Sequence, residues 1–578
     1  MRISFCLLLA TVALASPAPV THVDTNGSGV LDKRVVTITV DTPAGSIVGR
    51  QDMLTEDFNG IPFAEPPVGN LRLRPPVRLN STLNNFDGTS YAPACPQFIA
   101  PTPSDQSPFL ERIMGSLVDS PFVKRALKVS EDCLNLNVIR PRGVKAGDNL
   151  PVLFWMYGGG FSLGWNSMYD ASGMVAEAAA VGKPNYRVGA WGWLAGKEMM
   201  EDGSTNLGHL DQRMGLEWVA DNIAAFGGDP AKVTLWGESA GSISVFHHMA
   251  AYDGDNTYKG KPLFRAGIMN SGSMMPLEPV DSPRAQSIFD AVVSHAGCSG
   301  AEDKLECLRA LSLEDFTLAA NAQPGLLSYT AVAVSYMPRV DGKFLTRTPH
   351  EIVKAGTYAP VPFILGDQED EGTLFSLFQS NISSTTEGIV GYLSDLYLPA
   401  TPIEKVRELV EAYPQSISAG SPFNTGIFNE VYPGFKRLAA LMGDFSFTIT
   451  RRLFLEHCTA NHPDVPAWSY LASYAYGTPV LGSFHASDLV QVFFGVLPNY
   501  ASVNVRKYYA NFVWNLDPND ASGGTGGNSQ VNFQWPRWTN NSRVLVNFYR
   551  LFFRHIADDF RSNVFDVIKR NADYYMGG

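Results

Sequence analysis

Short apolar blocks recur along the first half of the chain, and their spacing predicts strands that alternate with helices. The segment 150–156 is almost continuously apolar, which is typical of a strand buried on both faces of a sheet. The segment 215–226 has the pattern of a helix that ends at Gly227, and the apolar run 233–236 predicts the next strand. This alternation predicts a mainly parallel sheet covered by helices.

Beyond about residue 285 the pattern becomes mostly helical, although the segments 361–367 and 466–474 still predict strands. A chain of 578 residues is long enough for one large α/β domain with insertions or for two domains. Because strands and helices alternate in a regular way, we predict a single domain over residues 35–578. The glycine-rich segment 521–530 is typical of a flexible surface loop.

Composition and charge narrow the class of protein. Apolar residues make up 45% of the chain and charged residues 17%, as in ordinary globular proteins. The net charge of −12 and the isoelectric point near 5.4 argue against nucleic acid or an anionic membrane as the main partner. No internal run of about 20 apolar residues predicts a transmembrane segment.

The N-terminus has the pattern of a secretory signal peptide over residues 1–15. Arg2 gives a short positive region, residues 5–14 form an apolar core, and small residues follow at the cleavage site. The alternative is a buried N-terminal strand or helix, which this pattern favours less. We therefore predict a secreted protein.

Two further features fit secretion. Lys33 and Arg34 form either a dibasic processing site, which would make residues 16–34 a propeptide, or a solvated surface pair. Asn26 matches the acceptor pattern for N-glycosylation but lies within that segment. Three acceptor sites in the predicted domain indicate a glycoprotein: Asn80, Asn381 and Asn540.

Five of the six cysteines remain after removal of the signal peptide, and in an oxidising compartment they are expected to pair. Cys298 and Cys307 bracket a short segment and predict a small closed loop. Cys95 and Cys133 would then close a longer loop. Cys458 is left as a buried thiol.

Ser239 lies between Gly237 and Gly241, after an apolar strand and before a predicted helix. A serine on such a tight turn projects its hydroxyl into the crevice at the carboxyl ends of the strands. The turn forces unfavourable backbone angles on the serine and leaves no room for bulky neighbours, so glycine is required on either side. The G-x-S-x-G pattern is weak by itself, but in this setting it predicts a nucleophile.

A serine hydroxyl needs a base to take its proton and a carboxylate to orient that base. Six histidines lie well downstream of the serine, so the residue types alone leave the base open: His295, His350, His457, His462, His485 and His555. The strand at 361–367 ends in an acidic cluster, and His485 lies on a loop between small residues. A solvated acidic loop and a surface histidine are the alternative interpretation.

Seven motifs between residues 58 and 488 resemble, in the same order, those of the type-B carboxylesterase/lipase family, which includes fungal secreted lipases and cholinesterases. They include FNGIPFAEPPVGNLRLRPP, EDCLNLNVIRP, YGGGF, NIAAFGGDPAKVTLWGESAGS, DEGTLF and GSFHASD. The resemblance implies an α/β-hydrolase fold with a mostly parallel central sheet flanked by helices. It implies Ser239 as nucleophile, His485 as general base and Glu371 as orienting acid. Because the acid of this family is a glutamate in this motif, Glu371 is chosen over its acidic neighbours Asp367, Glu369 and Asp370.

The resemblance also implies three backbone donors for the oxyanion. Gly159 and Gly160 lie in the YGGGF motif after a predicted buried strand, and Ala240 follows the nucleophile. Backbone N–H groups aimed at the developing oxyanion are usually the largest single contribution to this kind of catalysis. The alternative is an ordinary flexible glycine loop. The predicted chemistry is ester hydrolysis through an acyl-enzyme, without a cofactor and without a metal.

Between Cys95 and Cys133, apolar residues recur every four positions, at Phe109, Ile113 and Leu117, which indicates an amphipathic helix. Such a helix is either packed on the core or, as the resemblance implies, part of a lid formed by the loop 95–133. A lid with a long apolar face favours a lipase that acts on long-chain acyl esters and contacts a lipid surface transiently.

Two alternatives stay open. The first is a carboxylesterase that acts on sterol esters, short-chain esters or esters of a secondary metabolite. The second is a non-catalytic binding member of the family, which the presence of Ser239, Glu371 and His485 disfavours.

One departure from the family pattern concerns the centre of the sheet. The family has a buried apolar strand immediately before NYRVG, but here AEAAAVGKP runs directly into Asn185, and about six residues are missing by comparison. Removing a central strand would leave the backbone groups of its neighbours unpaired, at about 1–3 kcal/mol each. Either adjacent residues take the place of this strand, or the sequence lacks a segment.

Overall fold

The computed structural model describes residues 36–577 except 99–127, 177–178, 327, 495–498, 521 and 523–529. The predicted signal peptide, the predicted propeptide and the amphipathic segment of the predicted lid lie outside these residues. In the part of the chain that is described, no helix is both long and apolar enough to cross a membrane.

The strands form one large mixed sheet and a separate two-stranded ribbon made of β9 and β10. In chain order they are β1 Thr37–Thr42, β2 Gly45–Gln51, β3 Thr55–Pro62, β4 Leu83–Asp87, β5 Asn135–Pro141, β6 Leu150–Met156, β7 Ala180–Pro184, β8 Gly228–Glu238, β9 Thr257–Tyr258, β10 Lys261–Pro262, β11 Ala266–Asn270, β12 Phe363–Gln368, β13 Ala467–Ala472, β14 Val544–Phe548 and β15 Phe553–Ala557.

Across the large sheet the order is β1-β2-β3-β5-β7-β6-β8-β11-β12-β13-β14-β15, with β4 beside β2. The neighbouring strands from β7 to β14 are all parallel. The strands toward both edges pair antiparallel, apart from β4, which runs parallel to β2. The prediction of a mostly parallel central sheet is confirmed.

Helices occupy the connections between the parallel strands and much of the region between β11 and β14. In chain order they are α1 Ser172–Val175, α2 Ala190–Trp193, α3 Lys197–Asp202, α4 Leu207–Asn222, α5 Ala240–Gly254, α6 Pro283–His295, α7 Lys304–Ala310, α8 Leu313–Ala320, α9 Pro349–Ala355, α10 Thr386–Leu396, α11 Ile403–Glu411, α12 Phe435–Gly443, α13 Ile449–Asn461, α14 Ser487–Leu489, α15 Tyr500–Asn515, α16 Ser562–Arg570 and α17 Ala572–Tyr575.

Strand β6 shows how the sheet is buried on both faces. Its side chains alternate between two large apolar clusters, with Phe154 in one cluster and Trp155 in the other. Successive side chains of a strand point to opposite faces, so each cluster covers one face of the sheet. This explains why the sequence of β6 is almost continuously apolar.

Strand β7 occupies the position in the sheet that the shortened sequence before Asn185 left in doubt. The residues Ala180–Pro184 pair antiparallel with β5 and parallel with β6, and all five are buried. Residues adjacent to the gap therefore take the place of the strand, and the backbone groups of its neighbours are paired.

This substitution places a lysine inside the sheet. The side chain of Lys183 is buried, and its Nζ donates a hydrogen bond to the carbonyl of Tyr169 at 2.6 Å. Burial lowers the pKa of Lys183 to about 8. A strand that forms from apolar residues alone would carry no such cost.

Replacing Lys183 with methionine is expected to stabilise the fold at pH 7 by about 1–2 kcal/mol. The unfolded chain binds the lysine proton more tightly than the folded chain, so wild-type stability falls as the pH drops from about 10.5 to 8 and stays low below that. A pKa shift of this size destabilises the wild-type fold by about 3 kcal/mol at pH 7. The variant avoids this cost but loses the hydrogen bond to the Tyr169 carbonyl, which destabilises it by about 1 kcal/mol.

Urea unfolding of both proteins at pH 7 and pH 10 measures this effect. The advantage of the variant should shrink at pH 10, where the wild-type lysine is largely neutral in the folded chain. If the variant had a lower free energy of unfolding than the wild type at pH 7, the buried lysine would not be destabilising.

Two disulfides close the loops that the cysteine spacing suggested. Cys95 bonds to Cys133, and Cys298 bonds to Cys307. Cys458 is a buried thiol. The first disulfide joins the two described ends of the loop 95–133.

Candidate active site

Ser239 lies at a sharp turn between β8 and α5, as the glycine spacing predicted. Its backbone angles are φ 57° and ψ −124°, a strained conformation for a residue with a side chain. A Cβ atom on Gly241 would lie 2.0 Å from the carbonyl oxygen of Met156, and one on Gly237 would lie 2.3 Å from the backbone of Gly241. Both glycines are therefore required because backbone segments pass too closely for any side chain.

Glu371 and His485 meet beyond the carboxyl end of β12. His485 Nδ1–H donates to Glu371 Oε2 at 2.5 Å, and the other oxygen of Glu371 accepts a hydrogen bond from the backbone N–H of Gln368 at 2.7 Å. The imidazole ring is packed between Phe375 and Phe447, with ring centroids 4.9 and 4.7 Å away. The carboxylate thus fixes the tautomer and the rings fix the plane, which leaves Nε2 as the nitrogen able to take a proton.

The acidic neighbours of Glu371 have other partners. Asp367 forms an ion pair with Arg451. Glu369 accepts a hydrogen bond from the side chain of Asn424 at 3.2 Å. Hence, among the described residues near this turn, Glu371 is the acid that holds the imidazole.

Asp370 connects three loops around the same turn. It accepts hydrogen bonds from the hydroxyl of Ser421 and from the backbone N–H groups of Phe423 and Ser483. Ser483 is two residues before His485, so Asp370 ties the segment that carries the acid to the segment that carries the base.

Glu238, which sequence reasoning missed, lies beside the imidazole. Its Oε1 is 3.3 Å from His485 Nε2, and the side chain is buried. Burial raises the pKa of Glu238 to about 8. Burial by itself would lower the pKa of His485, but the carboxylates of Glu371 and Glu238 outweigh it and raise this pKa to about 9. Glu238, directly before Ser239, is thus one of two carboxylates that favour the charged form of His485.

Replacing Glu238 with glutamine is expected to move the acid limb of the kcat/KM profile to lower pH, by about 1 unit or more. Ester hydrolysis needs His485 in its neutral form, and a carboxylate within about 4–6 Å of a histidine raises its pKa by about 1–3 units. Removing that charge therefore leaves the base neutral at a lower pH. The profile is measured with a soluble ester between about pH 5 and 10.5, so that the range includes the wild-type limb expected near pH 9. A limb that stays in place, or moves to higher pH, would contradict this electrostatic role.

Two of the three predicted oxyanion donors lie in the same cavity wall as Ser239. Gly160 and Ala240 line the same cavity as Ser239. Gly159 and Gly160 adopt positive φ angles of 112° and 59°, which favour glycine. Tyr157, just before these glycines, stacks on Tyr186 and donates its hydroxyl to the carbonyl of that residue at 2.7 Å. The stacked rings of Tyr157 and Tyr186 therefore hold the start of the glycine turn in place.

A largely apolar cavity is lined by Ser239; its volume is about 1140 Å³ when the open solvent at its entrance is included. It extends past Leu326 and Phe447 to Tyr575 in the last helix of the chain. Phe447 belongs to a π-helical turn, Asp444–Thr448, between α12 and α13, and it packs on His485 as well as on the cavity. The other apolar lining residues include Ile243, Met275, Leu277, Val332, Val334, Met337, Leu396, Leu398 and Phe445. Such a cavity suits a long hydrocarbon chain whose polar end lies at the serine.

This site, at the carboxyl ends of the parallel strands of an α/β sheet, defines a serine hydrolase type of arrangement. A family model described as the carboxylesterase family matches residues 36–551, and the chain belongs to that family. The chain is 49% identical over 578 residues to Secreted lipase 1 of Botryotinia fuckeliana, with 99% of each chain covered. It is 51% identical over 553 residues to the secreted triacylglycerol lipase LIP1 of Gibberella zeae, covering 94% of this chain and 92% of that one.

Solved structures give the fold. Aspergillus niger EstA matches with a TM-score of 0.77 at 24% identity, covering 94% of this chain and 99% of that one. A PNB esterase matches with a TM-score of 0.70 at 26% identity, covering 91% and 99%. The prediction of an α/β-hydrolase fold is confirmed.

Proposed function

We propose that this chain is a secreted triacylglycerol lipase that cleaves long-chain acyl esters through an acyl-enzyme on Ser239. Two observations support this proposal. Relatives about half identical over nearly the full chain are named secreted lipases. The cavity lined by Ser239 is large and mostly apolar, so it suits an acyl chain rather than a small polar ester.

In the proposed mechanism His485 Nε2 takes the proton of the Ser239 hydroxyl while Oγ attacks the ester carbonyl. The oxyanion of the tetrahedral intermediate accepts hydrogen bonds from the N–H groups of Gly159, Gly160 and Ala240. The bond between the acyl carbon and the glycerol oxygen breaks, and His485 gives its proton to the leaving alcohol. Water then attacks the acyl-enzyme by the same route and releases a fatty acid.

Glu371 stabilises the imidazolium that exists between these proton transfers. Its hydrogen bond to Nδ1 also keeps Nε2 directed away from the acid. Each step proposed here uses protein side chains and backbone groups, and the chemistry calls for no metal and no cofactor.

The proposed processing and location follow from the N-terminal sequence. Residues 1–15 would be removed as a signal peptide and 16–34 as a propeptide, which leaves a single α/β-hydrolase domain over 35–578. Glycans are proposed at Asn80, Asn381 and Asn540. In support, Asn80 and Asn381 are exposed. Asn540 is half-buried, and its amide nitrogen donates to the carbonyl of Glu456 at 3.1 Å.

The substrate class is tested by comparing emulsified triolein with soluble p-nitrophenyl acetate and emulsified tributyrin. We expect hydrolysis of triolein at a rate at least comparable to that of tributyrin. Each methylene of the acyl chain that is buried in the apolar cavity makes the binding free energy more favourable by about 0.8 kcal/mol. Activity on p-nitrophenyl acetate without activity on triolein would instead identify a carboxylesterase for short-chain or other esters.

A further inference from the structure

A loop beside the catalytic turn exposes large apolar side chains. In the segment 424–431, Ile427 is 71% exposed, Phe428 is 74% exposed and Val431 is 48% exposed. Single exposed apolar residues are common on protein surfaces, but several on one short loop indicate a contact surface.

The loop is held from beneath by a buried cation. Lys436 is fully buried, and its Nζ donates to the hydroxyl of Thr425 at 2.7 Å and to the carbonyls of Gly426 and Phe428 at 2.8 and 3.3 Å. A lysine that is drawn inward to bind the backbone of a loop orders that loop before any partner arrives. The apolar tip is therefore presented in a fixed conformation.

The acidic group of the loop is also turned inward. Glu430 accepts hydrogen bonds from the backbone N–H groups of Gly434 and Lys436 at 2.6 and 2.9 Å, at the start of α12. The outer tip thus carries apolar side chains without a charge of its own. Since the whole chain has a net charge of −12, an uncharged apolar surface fits this tip better than an anionic one.

Three hydrogen bonds attach the loop region to the two segments that carry Glu371 and His485. Asn424 Nδ2 donates to Glu369, two residues before the acid, and Phe423 N–H donates to Asp370. Asn429 Oδ1 accepts from the backbone N–H of Val480, five residues before the base, at 3.0 Å. The exposed tip therefore lies directly on the acid and base side of the active site.

The apolar surface continues at the carboxyl ends of the parallel strands. Tyr476 follows β13 and is 48% exposed; its hydroxyl donates to the carbonyl of Asn424 at 3.4 Å, and its ring lies 6.3 Å from that of Tyr549. Tyr549 stacks on Phe552 at 4.8 Å, in the turn after β14. The carboxyl ends of β13 and β14 share one edge with that of β8, where Ser239 lies.

We propose that this rim surface, formed by Ile427, Phe428, Val431, Tyr476 and Phe552, docks the enzyme onto the uncharged surface of its insoluble ester substrate. The proposal rests on the proposed lipase function and adds a contact that is built into the rigid part of the fold. Docking through this surface would hold the entrance of the acyl cavity against the lipid, on the side of Glu371 and His485.

The test is adsorption of the full chain carrying Ser239→Ala, so that hydrolysis cannot alter the lipid surface. We expect Ile427→Ser/Phe428→Ser in this background to weaken binding to triolein droplets about tenfold, since two large side chains leave the lipid. The matched control is Met53→Ser/Leu54→Ser, at the turn between β2 and β3. These side chains are 86% and 70% exposed, but this turn lies at the amino ends of the parallel strands, opposite to the active site.

In the active chain, the loop variant should lose activity on emulsified triolein and keep its kcat/KM for soluble p-nitrophenyl acetate. Unchanged adsorption, or an equal loss on both substrates, would overturn the docking surface. So would a dimer of the wild type that the loop variant dissociates in sedimentation, because a second copy would then cover this surface. A wild type that adsorbs through the loop but does not hydrolyse triolein would overturn the lipase function and support the docking surface.

Discussion

Replacing Ser239 with alanine is expected to lower kcat for a soluble ester by about 10⁵–10⁶-fold. The nucleophile and its base act as one unit, so removing the hydroxyl also removes the benefit of His485 and Glu371. The oxyanion donors and the cavity would retain a rate of about 10³–10⁴ over water. Initial rates with p-nitrophenyl butyrate, measured on highly purified protein, give the ratio.

The matched control is Ser244→Ala in α5, the helix that follows Ser239. The hydroxyl of Ser244 is buried and donates to the carbonyl of Ala240 at 2.8 Å, so its loss perturbs packing near the site without touching the reaction. We expect near wild-type kcat for this control. Full activity of Ser239→Ala would exclude the acyl-enzyme mechanism.

Replacing Glu371 with glutamine is expected to lower kcat by about 10³–10⁴-fold. An amide can still bond to the imidazole, but it no longer stabilises the imidazolium and it permits the tautomer in which Nε2 carries the proton. The hydrogen bond from Gln368 N–H to the side-chain oxygen can be kept, which limits the structural disturbance. Stopped-flow or initial-rate kinetics on a soluble ester measure the loss.

Glu369→Gln serves as the control for this change, because Glu369 is two positions earlier and bonds to Asn424 instead of the imidazole. Its kcat on the soluble ester should stay within about twofold of the wild type, as expected for a group without contact to the reacting atoms. If the two glutamine variants lost activity equally, the assignment of Glu371 as the orienting acid would be wrong.

The turn at Ser239 shows what the sequence can predict. Its glycines are required by local backbone contacts, so the pattern carries its own physical reason and the strand and helix around it follow. The predicted partners of the serine could not be recognised in this way, because Glu371 and His485 are 114 residues apart. Six histidines lie downstream of the serine, and only resemblance to a family selected His485.

Three features could not be predicted from local pattern. Strand β7 forms from Ala180–Pro184, which contains glycine, lysine and proline, because the open position between β5 and β6 outweighs weak strand propensity. The contact of Glu238 with His485 depends on how the chain folds around the turn. The π-helical turn at Asp444–Thr448 places Phe447 on the imidazole through tertiary packing.

We propose that Ser239, activated by His485, accepts a long acyl chain as a covalent intermediate. A phosphonate that forms a stable adduct on the serine, with the geometry of the tetrahedral intermediate, tests this proposal directly. The p-nitrophenyl ester of a dodecylphosphonate is incubated with the full chain, and the labelled peptide is identified by mass mapping. Ser239 Oγ would attack phosphorus, p-nitrophenolate would leave, and His485 would take the hydroxyl proton. We predict one dodecylphosphonyl group per chain, on the peptide that carries Ser239, with no label on Ser239→Ala. Label on another residue, or an active enzyme that takes up no label, would contradict this account.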